Sequence, residues 1–199
     1  MSLAVAAHEM NEKVCLIDMD PQGLLANWAK IRADGDIDVI ASGAAPLPAL
    51  LASLERKAMT LAILDTPGAE GAASSAAMQA ADLNIVPSRP SMFDLQASAR
   101  MRAALAEIAG EFVFLLNQCP PGQQTARVQD SVEALQEIGE LVSPLILTRV
   151  DYQEAGRRGR GVTELNACGA AATEMRNLWR SIESRLKPAK LGRAARRAA

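Results

Sequence analysis

At 199 residues, 49% of them apolar and 22% charged, the chain has the size and composition of one folded domain with a substantial core, which excludes disorder as its general state. The net charge of −2 conceals an asymmetry, because residues 187–199 carry five basic groups and no acid and leave −7 for the remainder. Only 3% of residues are aromatic, which excludes a base-stacking surface of the single-strand type and confines any nucleic-acid contact to phosphates.

Ser2 to Met10 is Ala-rich, with Leu3, Ala6, Ala7 and Met10 at helical spacing, so a helix opens the chain and no strand precedes it. Val14-Cys15-Leu16-Ile17 reads as a strand buried on both faces, ended by Asp18-Met19-Asp20-Pro21-Gln22-Gly23. Pro21 cannot donate a ladder bond and Gly23 tolerates a tight turn, so the backbone breaks there with two carboxylates at the rim. A helix over Leu24 to Ala33, a short strand Ile37-Asp38-Val39-Ile40 and a helix from Pro46 to Arg56 follow, the last with Leu47, Leu50, Leu51 and Leu54 on one stripe. Leu61-Ala62-Ile63-Leu64 is a second apolar strand closed by an acid, Asp65, and then Thr66-Pro67-Gly68.

Ala72 to Ala80 reads as a short helix, Leu83 to Val86 as a strand, and a Pro-punctuated loop runs through Pro90. Asp94 to Ala109 is a longer helix and Phe112 to Leu116 the next strand. Beyond the Pro120-Pro121-Gly122 turn come a helix from Ala126 to Ile138, a last strand at Leu145-Ile146-Leu147, and a final helix marked by Ala171, Met175, Leu178, Ile182 and Leu186. Strands alternating with helices imply an α/β fold with a mostly parallel sheet covered on both faces. Such sheets bind ligands at the carboxyl edge, where Asp18, Asp20 and Asp65 are expected to converge. Domain organisation is expected as one domain over residues 1–186 and a basic, disordered tail over 187–199.

Other features carry less. His8 is the single histidine and reads as a helix-face residue. Cys15, Cys119 and Cys168 are odd in number, lack metal spacing and read as reduced thiols, Cys15 as core. Arg157-Arg158-Gly159-Arg160-Gly161 favours a solvated loop over a phosphate site. No apolar run approaches the ~18 residues that cross a bilayer, and the start lacks a basic region followed by an apolar one, so the expectation is a cytoplasmic protein without a membrane contact. Acids at strand ends also serve as helix caps, which is the plain alternative for Asp18 and Asp20.

Taken together, the motifs resemble the ParA/MinD family of deviant Walker ATPases. Asp18-Met19-Asp20-Pro21-Gln22-Gly23 is similar to that family's second acidic motif and Ile63-Leu64-Asp65-Thr66-Pro67-Gly68 to its Walker B. Ala81 to Pro87 with Ser91 and Phe93-Asp94-Leu95 is similar to the next strand and turn, and Phe114-Leu115-Leu116-Asn117 to the strand whose terminal Asn lies near the adenine. The resemblance implies ATP and Mg²⁺ as cofactors. Asp65 would contact the metal through water, Asp18 would support its hydration shell, Asp20 would orient or deprotonate the attacking water, and Asn117 would read the adenine. It also implies a homodimer, nonspecific DNA binding on the nucleoid and a separate centromere-binding adaptor protein.

One departure stands out. A phosphate-binding loop needs glycines followed by Lys and Ser or Thr, and the sequence contains none. Aligned on the family, Ser2-Leu3-Ala4 falls where the helix after the lysine starts, so a strand of ~5 to 6 residues and a loop of about eight are missing. The family's missing strand sits beside the Asp65 strand, so unpaired backbone and partial instability are expected. Three readings follow: a partition ATPase in the parent protein with this chain inactive as it stands, a non-hydrolysing binding module, or a metabolic ligase or reductase of the same superfamily.

Overall fold

The computed structural model describes residues 1–32, 34–68, 71–108, 110–122 and 126–197, with side chains through 187 in the last segment. Ala33 and Ala109, the expected last residues of two helices, lie outside the described residues, as do the side chains of the basic segment beyond Lys187. The chain divides into two compact units, residues 1–80 with 150–176, and residues 81–149 with 177–199.

The first unit is built on a three-stranded parallel sheet in the order β2-β1-β3, with β1 at Val14–Asp18, β2 at Asp38–Ala41 and β3 at Leu61–Asp65. The central position of β1 explains its uninterrupted apolar run: all five residues are buried, whereas Leu61 to Leu64 of β3 are half-buried. Among the described residues β3 pairs only with β1, so its other edge carries no strand. Cys15, Ile17 and Met19 pack with Leu47 and Leu54 of α3 (Leu47–Arg56) and Ala77 of α4 (Ala72–Ala80). The leucine stripe read from the sequence is thus the face that α3 buries. The helices α1 (Ser2–Glu9) and α2 (Leu24–Ile31) also lie against β1.

Residues 150–165 return to this unit as α7 (Val150–Arg157) and α8 (Val162–Leu165). In the arginine-glycine loop between them all three arginines are exposed, as expected of a solvated loop, while its two glycines are buried against the unit. Gly159 has φ +68°, and a Cβ there would lie 2.6 Å from the Arg32 nitrogen; a Cβ on Gly161 would lie 2.6 Å from Val5 Cβ. Only glycine permits either approach. Arg157 and Arg158 both pair with Glu154, at 2.9 and 3.3 Å.

The second unit has a two-stranded parallel sheet, β4 (Leu83–Ser88) beside β5 (Glu111–Leu116), with α5 (Met92–Ala106) and α6 (Ala126–Ile138). Phe114, Leu116, Cys119, Val128 and Leu135 form its core. The phenylalanines at 112 and 114 meet edge to face, centroids 5.8 Å apart.

The expected strand Leu145-Ile146-Leu147 is not one. The segment makes only isolated bridges, Phe114 with Leu141 and Cys119 with Leu147. Pro144 has no N–H to donate, so a ladder cannot run through it. The hydrogen bonds are made on either side instead, from Val142 N to Phe114 O at 2.8 Å and from Ile146 N to Leu116 O at 3.0 Å. The last helix, α9, spans Ala170–Arg197 and carries the backbone through most of the segment expected as a tail.

Candidate functional site

In the first unit the two acid-terminated strands lie side by side. Asp18 and Asp65 are register partners at the ends of β1 and β3, and Met19 N donates to Asp65 O at 2.9 Å across the break. Asp20 sits two residues beyond the end of β1. The structure therefore brings Asp18, Asp20 and Asp65 to one carboxyl edge, as expected from the apolar runs that each strand completes.

Their environments differ. Asp18 is 3% exposed, and both of its carboxylate oxygens accept backbone bonds, Oδ2 from Ala26 N at 3.0 Å and Oδ1 from Asp20 N at 3.3 Å. Asp20 is half-buried, and its Oδ1 accepts from Gln22 N at 2.9 Å, an Asx-type turn closed by Gly23 N donating to Asp20 O at 3.0 Å. Asp65 is exposed at the rim, and its carboxylate has no hydrogen-bond partner among the described residues. Although water reaches it, the protein around Asp65 desolvates its carboxyl and pushes its pKa up. The α-amino group of Met1 opposes that shift, while the negative fields of Asp18 and Asp20 add to it.

These residues fit a hard divalent cation that keeps much of its own water, as Mg²⁺ does when it is held by one or two carboxylates. Asp65 would hold it through water, with Asp18 beside it on the neighbouring strand end to support its hydration shell. Among the described residues no group of three or more His, Cys, Asp or Glu side chains could hold a metal ion. A phosphate cradle is another matter: no Gly-Lys-Ser or Gly-Lys-Thr stretch occurs in residues 1–199, and the fit to ATP is incomplete to that extent.

Asn117 belongs to the second unit, one residue past β5, where its N–H donates to Ser88 O at 2.7 Å. Its Oδ1 accepts from Gln118 N at 2.9 Å, leaving the Nδ2 donor without a partner among the described residues. It lines a cavity of about 220 Å³ with Pro87, Ser88, Arg89, Asp94 and Gln118. A second cavity of about 360 Å³ shares Arg89 and Gln118 and adds Pro90, Pro120, Pro121, Arg127 and Thr148. Arg89 is held by Asp94, Nε to Oδ1 at 3.1 Å; Ser91 caps α5 by accepting from Asp94 N at 3.3 Å, and its hydroxyl donates to the same Asp94 carboxylate. Sequence reasoning passed over these arginines. The available signal was two proline-punctuated loops following two adjacent parallel strands.

A second group went unforeseen. Arg32, 7% exposed, donates to Asp36 at 2.7 and 2.8 Å and to Glu164 at 2.7 and 2.9 Å, with the Gly159 carbonyl at 3.2 Å and the Trp28 ring 5.2 Å away. Glu164 also accepts from Gly161 N at 2.7 Å, and Trp28 Nε1 donates to Arg160 O at 3.3 Å. His8 joins the rim of the group, Nε2 3.5 Å from Asp36. Every strong donor of the guanidinium is satisfied, so the group is an anchor and not a vacant binding site.

No protein-family model and no curated protein sequence matches the chain. Solved structures do. MinD from Aquifex aeolicus superposes with a TM-score of 0.74 at 14% identity, over 92% of this chain and 89% of that one. An ATP complex of a McdA variant from Cyanothece gives 0.72 at 17% identity, over 94% and 90%. A ParA-family ATPase from Chlorobium tepidum gives 0.65 at 14% identity, over 89% of each chain. With the two acid-ended parallel strands already in view, these likenesses establish that the chain has the fold of the ParA/MinD ATPases.

Proposed function

We propose that the chain comes from a partition-type ATPase, one that dimerises around ATP, holds DNA without sequence preference and is discharged by a centromere-bound adaptor. The observation that carries this reading is the juxtaposition of Asp65 with Asp18 and Asp20 at one carboxyl edge, where an acid with a raised pKa stands unpaired. Mg²⁺ bound there would neutralise the phosphates of a nucleotide and orient the chemistry around them. The chain's own part is to fix the acids. Asp65 would contact the cation through water, Asp18 would support its hydration shell, Asp20 would orient or deprotonate the attacking water, and Asn117 would offer an amide donor to an adenine. The basic residues of 187–199 supply phosphate contacts for DNA.

Hydrolysis also needs a positive cradle for the γ-phosphate, and acids alone repel phosphate. Residues 1–199 are therefore expected to show no ATP turnover with or without DNA, whereas a version carrying a Gly-Lys-Ser or Gly-Lys-Thr loop upstream of Met1 recovers DNA-stimulated turnover that Asp20→Ala abolishes. The experiment measures phosphate release by both lengths. Turnover by the short form would show that another element supplies the cradle. A loop-bearing form that binds DNA and dimerises but never hydrolyses would favour a non-hydrolysing module.

A further inference from the structure

The middle of the chain is acidic, with eight acidic residues against five arginines over residues 81–149, yet one face of the second unit reverses that sign. The larger of its two cavities, about 360 Å³, is lined by Arg89 and Arg127 and by no acid. Arg127 is exposed, and its guanidinium makes no ion pair or hydrogen bond among the described residues. Arg89 gives only Nε to Asp94, which leaves its two terminal nitrogens as donors. The walls between these arginines are preformed: Pro90, Pro120 and Pro121 fix their own φ, and Gln118 is held at φ +53°, uncommon for a residue with a side chain. Fixed walls reduce the ordering cost of binding. Two residues past Pro90, Met92 and Phe93 open α5 at 68% and 83% exposure, Phe93 the most exposed large apolar side chain among the described residues. Single exposed apolar residues need no explanation, but a Met-Phe pair next to an arginine cleft combines the residue types that concentrate at protein interfaces.

We propose that this face docks an acidic segment of a partner protein, its carboxylates held by Arg89 and Arg127 and an apolar side chain of the same segment seated against Met92 and Phe93. Charge complementarity names the occupant. Guanidinium groups take carboxylates through paired N–H donors, and unneutralised positive charge in a concave site on an acidic body draws an acidic partner. Duplex DNA is the poorer fit, because two arginines offer few phosphate contacts and an exposed phenylalanine offers none. The surface uses none of the three acids of the first unit, so it stands whether or not a cation binds there.

The test is fluorescence anisotropy on the full 199-residue chain, with a fluorescein-labelled peptide of Asp-Glu pairs separated by single leucines. Binding should weaken about tenfold or more in Arg127→Glu and about fivefold in Phe93→Ala. Both positions are exposed, so folding is spared, and unchanged thermal melts verify it. Arg100→Glu, exposed on α5 and outside the cavity, makes the same change of charge and should stay within about twofold of the parent. A peptide with lysines in place of the acids should not bind. The proposal is overturned if the acidic peptide does not bind, if the lysine peptide binds as well, or if Arg100→Glu loses as much as Arg127→Glu. Two further outcomes would replace the acidic partner: duplex DNA held by the parent and lost in Arg127→Glu makes the face a nucleic-acid site, and self-association in sedimentation lost in Phe93→Ala assigns it to a second copy of the chain.

Discussion

Glu164 grips Arg32 through both carboxylate oxygens, at 2.7 and 2.9 Å, across 132 residues of sequence. Arg32 in turn holds Asp36 by a second fork. The guanidinium is buried and fully bonded while both carboxylates keep contact with water, so the cost of breaking the fork lies in what is left behind, reduced by that solvation. Arg32→Met leaves two partly solvated carboxylates without their donor and should destabilise the chain by about 1 to 3 kcal/mol. The triple variant with Asp36→Asn and Glu164→Gln should recover a large part of that. Urea midpoints at constant slope check both; a single variant within about 0.5 kcal/mol of the parent would mean the fork carries no stability.

Acid should expose the same group. The Arg32 hydrogen bond holds the Asp36 carboxyl below its ordinary pKa. For Glu164, burial pushes upward and is outweighed by hydrogen bonds from Arg32 and from Gly161 N–H, leaving the pKa lowered. Depressed carboxyls give stability that is present above their unfolded pKa, near 4, and lost as pH falls through the folded values. Asp65, raised, acts oppositely: its protonation relieves the acid cluster. Stability should therefore fall as pH drops below ~4, more shallowly in Glu164→Gln, with the raised Asp65 opposing that loss. Thermal melts across that range would show it; a parent and variant with identical acid slopes would not fit.

Two glycines in the left-handed region separate backbone conformation from crowding. At Gly35, φ +62°, a Cβ meets nothing within 4 Å, whereas at Gly159 it meets Arg32 N at 2.6 Å. Gly35→Ala should cost about 1 kcal/mol and Gly159→Ala about 2 kcal/mol or more. Equal losses in chemical denaturation would mean the loop can withdraw from α2 freely.

Thiol chemistry reports on both cores. Cys15 and Cys119 are buried and Cys168 is exposed. Burial first, and then the Asp38 charge, push the Cys15 thiol up to about 11, against an opposing Lys57. At pH 8 a disulfide reagent should titrate one thiol quickly and the other two only on unfolding. Rapid reaction at all three would contradict the packing around β1 and β5.

Much of this was legible because the signal was local. The β1 run is apolar at every position since both faces are covered, and α4 and α6 begin and end where their periodicity does. The last strand misled because Leu145 to Leu147 has strand composition, while Pro144, just before it, has no N–H for a ladder. The three acids were found as strand terminators, but which N–H groups Asp18 would hold depends on where α2 starts, which a glycine N-cap does not advertise. Arg32 and Glu164 gave no signal at all. Each is an ordinary charged residue on a helix or beside one, and only the fold makes them neighbours.

The return of residues 150–165 to the first unit has a consequence for synthesis. Trp28 and Arg32 leave the ribosome early, but Arg160 and Glu164, which cover them, emerge only after the whole β4–β5 region has been made. At typical elongation rates that interval is on the order of ten seconds. During it the nascent sheet has its strands but lacks the clasp over α2, so an indole and a guanidinium wait uncovered. Completion of this unit is thus timed by the length of the segment inserted between its two parts.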